Sequence, residues 1–210
     1  MPRLNAVTTE QANGRVRELY DGLKKAIGAV PNIYQGVANS PAALDVLLGM
    51  GAKLKEGGLS EAETEAIKLV VAQSYGCNYC LAAHTMVGQK AGLSEADTIA
   101  IRRGTIAEPR LSALVRFVNK AIQPAGQISD EDLRAIRAAG FDDGQITEIL
   151  MVLAQTVFTT LFNRVNQTEI DFPSAPSLKA TSSSPWRKRK CYGKESHHLR
   201  YPGVPVLPTS

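Results

Sequence analysis

Residues 65–84 read EAIKLVVAQSYGCNYCLAAH, and the rest of the 210-residue chain is organised around them. Apolar residues at helical spacing lead up to Gly76, and a second helical pattern starts at Cys77. Glycine commonly ends a helix because it adopts the left-handed backbone conformation at little cost. Two of the three cysteines and one of the three histidines lie between residues 77 and 84. We therefore expect two adjoining helices that concentrate redox and acid–base groups.

Helical geometry places Cys77, Cys80 and His84 on one face of the second helix. Each residue advances by about 100°, so Cys80 lies at about −60° and His84 at about −20° from Cys77. Cα atoms three residues apart lie roughly 5 Å apart, which a disulfide tolerates. The unpaired N–H groups and the dipole at a helix N-terminus favour a thiolate there. The pair is thus predicted to cycle between dithiol and disulfide, with His84 accepting and returning the proton.

Glu65 lies at the edge of the apolar face of the first helix. If the two helices pair antiparallel, its carboxylate can hydrogen-bond to His84 or to a water beside the thiols. The alternative is a pair with Lys68 on a hydrated surface, because such i,i+3 pairs are common. A lone helical histidine is more often structural than catalytic, and a single Cys-x-x-Cys supplies half of a typical zinc site. Haem attachment and a thioredoxin motif are excluded, because Leu81 follows Cys80 and no strand pattern precedes Cys77.

The motif formed by Glu65, Cys77, Cys80 and His84 has a fixed spacing: Glu, eleven residues, Cys-x-x-Cys, three residues, His. This spacing resembles that of the alkylhydroperoxidase-D-like family, also called the carboxymuconolactone decarboxylase-like family. The flanking segments that also resemble the family are 59–63, 91–94 and 162–173. The resemblance covers roughly residues 5–178, and it departs at Tyr79, where the best-known peroxidase members carry a histidine proposed as a further proton relay.

The resemblance implies an enzyme: a thiol-dependent peroxidase that reduces alkyl or hydrogen peroxides. It implies Cys80 as the thiol that attacks the peroxide, Cys77 as the resolving thiol, and His84 as a base oriented by Glu65. A dithiol reductant, a lipoyl-like or thioredoxin-like protein, would reopen the disulfide, and no metal or organic cofactor is implied. Members of the family form homo-oligomers, so a trimer or hexamer is expected.

Two other functions and the order of attack stay open. A decarboxylase acting on a lactone ring acid would need a proton donor and anion-binding groups rather than two thiols. A non-catalytic helical assembly protein could carry the same two thiols as a redox-sensitive disulfide. The helix dipole favours Cys77, which lies nearer the helix N-terminus, as the more reactive thiol. The family resemblance favours Cys80.

The remaining sequence up to residue 173 predicts an all-α domain. Apolar residues recur at helical spacing throughout, and no segment shows the alternation of a strand. Ser60, Ser94 and Ser129 are predicted N-caps, and Ser60 forms a capping box with Glu63. The last helix starts at Asp142 or Asp143 and is apolar nearly all round in its first half. Such a helix suits burial in the core or against a partner subunit.

The composition changes after Phe172, and residues 174–210 form a predicted disordered basic tail. Seven of the 24 basic residues but one of the 20 acidic residues lie there, so the tail carries a net charge of +6 and residues 1–173 carry −2. The body therefore lacks the basic footprint of a nucleic-acid-binding protein. No signal peptide is visible, and no stretch approaches the roughly 18 apolar residues of a membrane span. We expect a cytoplasmic protein with no membrane contact.

Overall fold

A computed structural model describes residues 1–123, 126 and 128–178 of the chain. Every regular element in these residues is an α-helix, which confirms the predicted all-α fold. The nine helices of the described residues are α1 (Gly14–Ile27), α2 (Asn32–Val37), α3 (Pro41–Leu54), α4 (Glu61–Tyr75), α5 (Asn78–Lys90), α6 (Glu95–Arg103), α7 (Pro109–Ala121), α8 (Asp130–Ala138) and α9 (Asp143–Asn166).

Helix α4 lies at the centre and packs against α5, α6, α7 and α9. Its start is the predicted capping box, in which Ser60 N–H donates to Glu63 at 2.8 Å and Glu63 N–H donates to the Ser60 hydroxyl at 3.2 Å. Its end is Gly76, in the left-handed conformation with φ 63°. The residues of α4 that are 0% exposed are Ala66, Ile67, Leu69, Val70, Val71 and Ala72. Burial on several sides gives α4 a fixed position on which a site can be built.

Helix α5 turns back along α4 directly after Gly76. Cys77 is the N-cap in an extended conformation, so α5 begins at Asn78, one residue later than the sequence pattern indicates. Near the far end of α5, a Cβ atom added to Gly88 would lie 3.6 Å from Glu65 Cβ. Because the last turn of α5 contacts the first turns of α4, the two helices run antiparallel. This antiparallel pairing is the arrangement that Glu65 requires in order to reach His84.

Helix α9 begins with a capping box at Asp142 and packs against α2, α3, α4 and α5. Its buried residues are Ile146, Ile149, Val152, Thr156, Thr160, Asn163 and Asn166. Within the described part of the chain, α9 alone is long and apolar enough to cross a membrane by length and composition. The sequence analysis expected no segment that approaches the length and apolar composition of a membrane span, and α9 meets both criteria. Core helices meet the same criteria, so this is weak evidence for a membrane span.

Both ends of the described chain are attached to the helical body. Leu4 N–H donates to Asn166 Oδ1 at 2.8 Å, and the Arg102 guanidinium donates to the Pro176 carbonyl at 2.7 Å. The described residues up to position 178 belong to one compact unit. The predicted tail, 174–210, lies outside the described residues from position 179 onward.

Candidate active site

The two cysteines of the motif are joined by a disulfide at the start of α5. The Cys77 and Cys80 Cα atoms lie 5.3 Å apart, as the helical spacing predicts, and each residue is 2% exposed. Cys77 Sγ accepts the Cys80 backbone N–H at 3.2 Å, so the sulfur acts as the side-chain cap of the helix. An N-cap acceptor interacts favourably with the unpaired N–H groups of the first turn, and a negatively charged acceptor does so more strongly.

Glu65 and His84 meet across the α4–α5 pair. His84 Nδ1 lies 2.8 Å from Glu65 Oε2, and the second oxygen, Oε1, accepts a hydrogen bond from Lys68 Nζ at 2.8 Å. Glu65 is therefore bonded to both of its predicted partners at once. The Lys68 pair does not lie on a hydrated surface, however, because Glu65 is 4% exposed.

The carboxylate of Glu65 is held in its charged form. Burial by itself raises the pKa of Glu65, but the neighbouring His84 and Lys68 outweigh that effect and lower the pKa to about 2. Because an ionised carboxylate only accepts hydrogen bonds, His84 Nδ1 must carry the hydrogen in this contact. This selects the tautomer in which Nε2 is the ring nitrogen that can accept or deliver a proton.

All four predicted site residues lie on the α4–α5 pair. His84 follows Cys80 by four residues on α5, a spacing that places the two side chains on the same face of the helix. The structure therefore joins Cys77 to Cys80 by a covalent bond and Glu65 to His84 by a hydrogen bond, one turn apart. A dithiol with a carboxylate-oriented imidazole beside it can exchange electrons and protons at one place.

Two further residues contact the site, and the sequence analysis missed both. Thr160 Oγ1 and Asn163 Nδ2 of α9 each lie 3.5 Å from Cys80 Sγ. They stand 80 and 83 positions beyond Cys80 in the chain. One signal was present: polar residues at spacings of four and three, starting at Thr156, interrupt an otherwise apolar face of α9.

Tyr79, which replaces the histidine of the best-known peroxidase members, is a packing residue. It is 5% exposed, its hydroxyl accepts the Ile33 backbone N–H at 3.2 Å, and its ring packs edge-on against Phe172. Burial raises the pKa of Tyr79, and Asp171 adds to that effect. A phenol that stays neutral and donates or accepts within the core is unsuited to a proton relay at neutral pH.

Tyr34 of α2 is the second tyrosine near the site. Burial raises the pKa of Tyr34, and the negative charge of Glu65 raises it further. The phenol is therefore neutral and lies within electrostatic range of the carboxylate.

Among the described residues no cluster of three or more His, Cys, Asp and Glu side chains could hold a metal ion.

Residues 34–120, which contain all four residues of the motif, match the family model of the carboxymuconolactone decarboxylase family. The segment that carries the motif is therefore similar to this family. A search of curated proteins found no match to the chain. The matched segment runs from α2 to α7 and so includes both helices that carry the site.

Solved structures with a similar fold extend the likeness beyond the matched segment. The alkylhydroperoxidase AhpD core of an uncharacterized peroxidase-related protein from Ralstonia eutropha JMP134 has a TM-score of 0.74 at 19% identity, covering 81% of this chain and 92% of that one. A complex of the C82A debrominase Bmp8 with 2,3,4-tribromopyrrole has a TM-score of 0.70 at 12% identity, covering 81% and 92%. An uncharacterized peroxidase-related protein from Silicibacter sp. TM1040 has a TM-score of 0.63 at 20% identity, covering 80% and 88%. At these identities the comparison shows the fold alone.

Proposed function

We propose that the chain is a thiol-dependent peroxidase that reduces alkyl or hydrogen peroxides through Cys77 and Cys80. The observation that carries the proposal is the part-buried hydrogen bond between Glu65 and His84, one helical turn from a disulfide. That bond orients an imidazole for proton transfer at the place where thiols are oxidised. A purely structural disulfide does not require an oriented imidazole beside it.

The proposed cycle starts from the dithiol. The Cys80 thiolate attacks one peroxide oxygen, an S–O bond forms, and the O–O bond breaks with two electrons passing from sulfur to the peroxide. The proton that His84 accepted from the Cys80 thiol passes to the departing alkoxide or hydroxide, which leaves as an alcohol or as water. Cys77 then attacks the sulfenic acid on Cys80, an S–S bond forms, and the hydroxyl group leaves as water.

Reduction of the disulfide completes the cycle and requires a partner. The first thiolate of a dithiol protein attacks the disulfide to give a mixed disulfide, and its second thiol displaces the chain, which regains both thiols. A lipoyl-like or thioredoxin-like protein supplies this chemistry. A cytoplasmic location belongs to the same proposal, because dithiols are kept reduced there.

A homo-oligomer, a trimer or hexamer, belongs to the same proposal. The outward face of α9 carries a stripe of exposed apolar side chains, which we call the α9 outer face. Its members are Leu150, Met151, Phe158, Leu161 and Val165, each 41–60% exposed. No charged residue occurs between Glu148 and Arg164. An uncharged, apolar stripe of this length suits a second copy of the same helix better than it suits water.

The test is peroxide consumption by the full chain with a dihydrolipoyl reductant. Cys80→Ser and Cys77→Ser are expected to abolish turnover while circular dichroism stays helical, and Cys191→Ser is the matched control that keeps it. Glu65→Gln is expected to lower turnover by about tenfold or more, because the oriented base contributes roughly 10²-fold or more. Glu61→Gln, an exposed acid on the same helix, is its control. Full turnover in both serine variants would end the proposal.

The two alternative functions predict other results in the same experiments. A decarboxylase would act on a lactone ring acid equally well after both cysteines are replaced. An assembly protein would show no turnover, and both of its thiols would ionise near the unperturbed value of about 8.5.

A further inference from the structure

Two polar side chains on the buried face of α9 converge on the sulfur of Cys80. Thr160 Oγ1 and Asn163 Nδ2 both lie 3.5 Å from Cys80 Sγ. Thr160 is 0% exposed and Asn163 is 4% exposed, so neither side chain has water as an alternative partner. The contact therefore belongs to the core of the protein, and it connects α9 to the redox pair.

The direction of these hydrogen bonds follows from the chemistry of the disulfide. Cys80 Sγ carries no hydrogen while it is bonded to Cys77, so the Thr160 hydroxyl must be the donor. The amide nitrogen of Asn163 can only donate. Two donors on one neutral sulfur make weak hydrogen bonds, whereas the same donors on a thiolate make charge-assisted ones. The arrangement is better matched to the reduced, ionised sulfur than to the disulfide.

A comparison with Thr156 argues against a purely structural role for Thr160. Thr156 lies one turn earlier on the same helix and is 2% exposed. Its hydroxyl donates to the Val152 carbonyl of its own helix at 2.6 Å, which is how a buried helical threonine usually satisfies its donor. Thr160 instead directs its hydroxyl at the sulfur.

We propose that Thr160 and Asn163 are catalytic residues that hold Cys80 as the thiolate once the disulfide is reduced. This inference deepens the dithiol cycle proposed above and rests on it. It also bears on which cysteine attacks. Cys77 Sγ accepts one backbone N–H, whereas Cys80 Sγ has two side-chain donors, so α9 favours the charged form of Cys80.

The second polar atom of Asn163 has a use in the same cycle. Asn163 Oδ1 is buried and has no hydrogen-bond partner among the described residues. An unpaired buried acceptor is costly unless a donor reaches it at some stage. The hydroxyl group of a sulfenic acid on Cys80 is such a donor, and it forms beside this atom in the oxidation step given above.

The test measures the ionisation of Cys80 directly. In a Cys77→Ser, Cys191→Ser background Cys80 is the one thiol left of the three cysteines, and its thiolate is followed by ultraviolet absorbance against pH. Thr160→Val and Asn163→Leu are each expected to raise the midpoint pH by about 1, since each removes a hydrogen bond to a charged group. Thr156→Val, which removes a buried hydroxyl that does not contact sulfur, and Thr160→Ser, which keeps the donor, are expected to leave the midpoint unchanged.

The outcomes separate this inference from the peroxidase proposal. An unchanged midpoint in both Thr160→Val and Asn163→Leu overturns the inference, and so does an equal rise in Thr156→Val. If Asn163→Leu does not fold, the comparison of Thr160→Val with Thr160→Ser decides alone. Peroxide consumption is measured separately on the unmodified chain. Its absence together with the midpoint rise would remove the proposed function and leave the thiolate assignment standing.

Discussion

Glu65 accepts hydrogen bonds through both of its oxygens, from Lys68 of its own helix and from His84 of α5. The first contact is local, and the i,i+3 spacing predicts it. The second depends on how two helices pack, and the sequence could state it only as a condition. The carboxylate that joins them is buried, so its charge is maintained by these two neighbours rather than by water.

The pH dependence of folding stability is predicted to report this charge. The pKa of Glu65 is lowered from 4.5 to about 2, so the unfolded chain binds this proton more tightly than the folded chain does. The resulting stabilisation is fully present above pH 4.5 and is lost as the pH falls from 4.5 towards 2. In Glu65→Gln that part of the dependence is absent.

The measurement is denaturant unfolding of the unmodified chain and of Glu65→Gln at neutral pH and at acidic pH. The difference in free energy of unfolding between them is expected to be largest at neutral pH and to shrink below pH 4.5. Glu61→Gln, an exposed acid of the same helix, is expected to keep a constant small difference. A gap for Glu65→Gln that stays constant or widens on acidification would contradict the assignment.

Local sequence determines where the helices begin and end, but it does not determine how they contact one another. The capping boxes at Ser60, Ser94 and Ser129 are all present, because a cap needs residues only three positions apart. The hydrogen bond between α5 and α2 has no such local cause. In it the Tyr79 hydroxyl accepts the N–H of Ile33, which lies 46 positions earlier in the chain.

Tyr79→Phe tests that inter-helix contact. The substitution leaves the buried Ile33 N–H without its acceptor, so it is expected to lower the free energy of unfolding by about 1–3 kcal/mol. The ring contact with Phe172 is kept, and thiol ionisation and peroxide turnover are expected to stay near those of the unmodified chain. Chemical unfolding and the peroxide assay measure the two effects. A large loss of turnover with unchanged stability would instead give Tyr79 a part in proton transfer.

On the scale of the whole molecule, α9 has two faces with different partners. Its inner face packs on the central helix and contacts Cys80 through Thr160 and Asn163. The α9 outer face is apolar and exposed in the single chain. If that face binds a second copy, the same helix mediates assembly and contacts the Cys80 sulfur.

Leu161→Arg tests this assembly. Leu161 is 48% exposed on the α9 outer face, so a charge there is expected to disrupt a contact between copies without disturbing the fold. Ile27→Arg is the matched control, because Ile27 is 58% exposed at the end of α1. Sedimentation should find an oligomer for the unmodified chain and for Ile27→Arg, and a smaller species for Leu161→Arg. A monomeric unmodified chain would contradict the proposal.

The sequence by itself determined the all-α class, the caps at Ser60, Ser94 and Ser129, the turn at Gly76 and the proximity of Cys77 to Cys80. These features depend on backbone conformation and on contacts between residues a few positions apart. Only the tertiary structure decided that Glu65 bonds to His84, that Tyr79 is a packing residue, and that Thr160 and Asn163 contact Cys80. Those contacts join residues 19 to 83 positions apart. They arise from helix packing, in which many buried surfaces are matched at once, and the spacing of residue types along one helix does not show which residue of another helix it will meet.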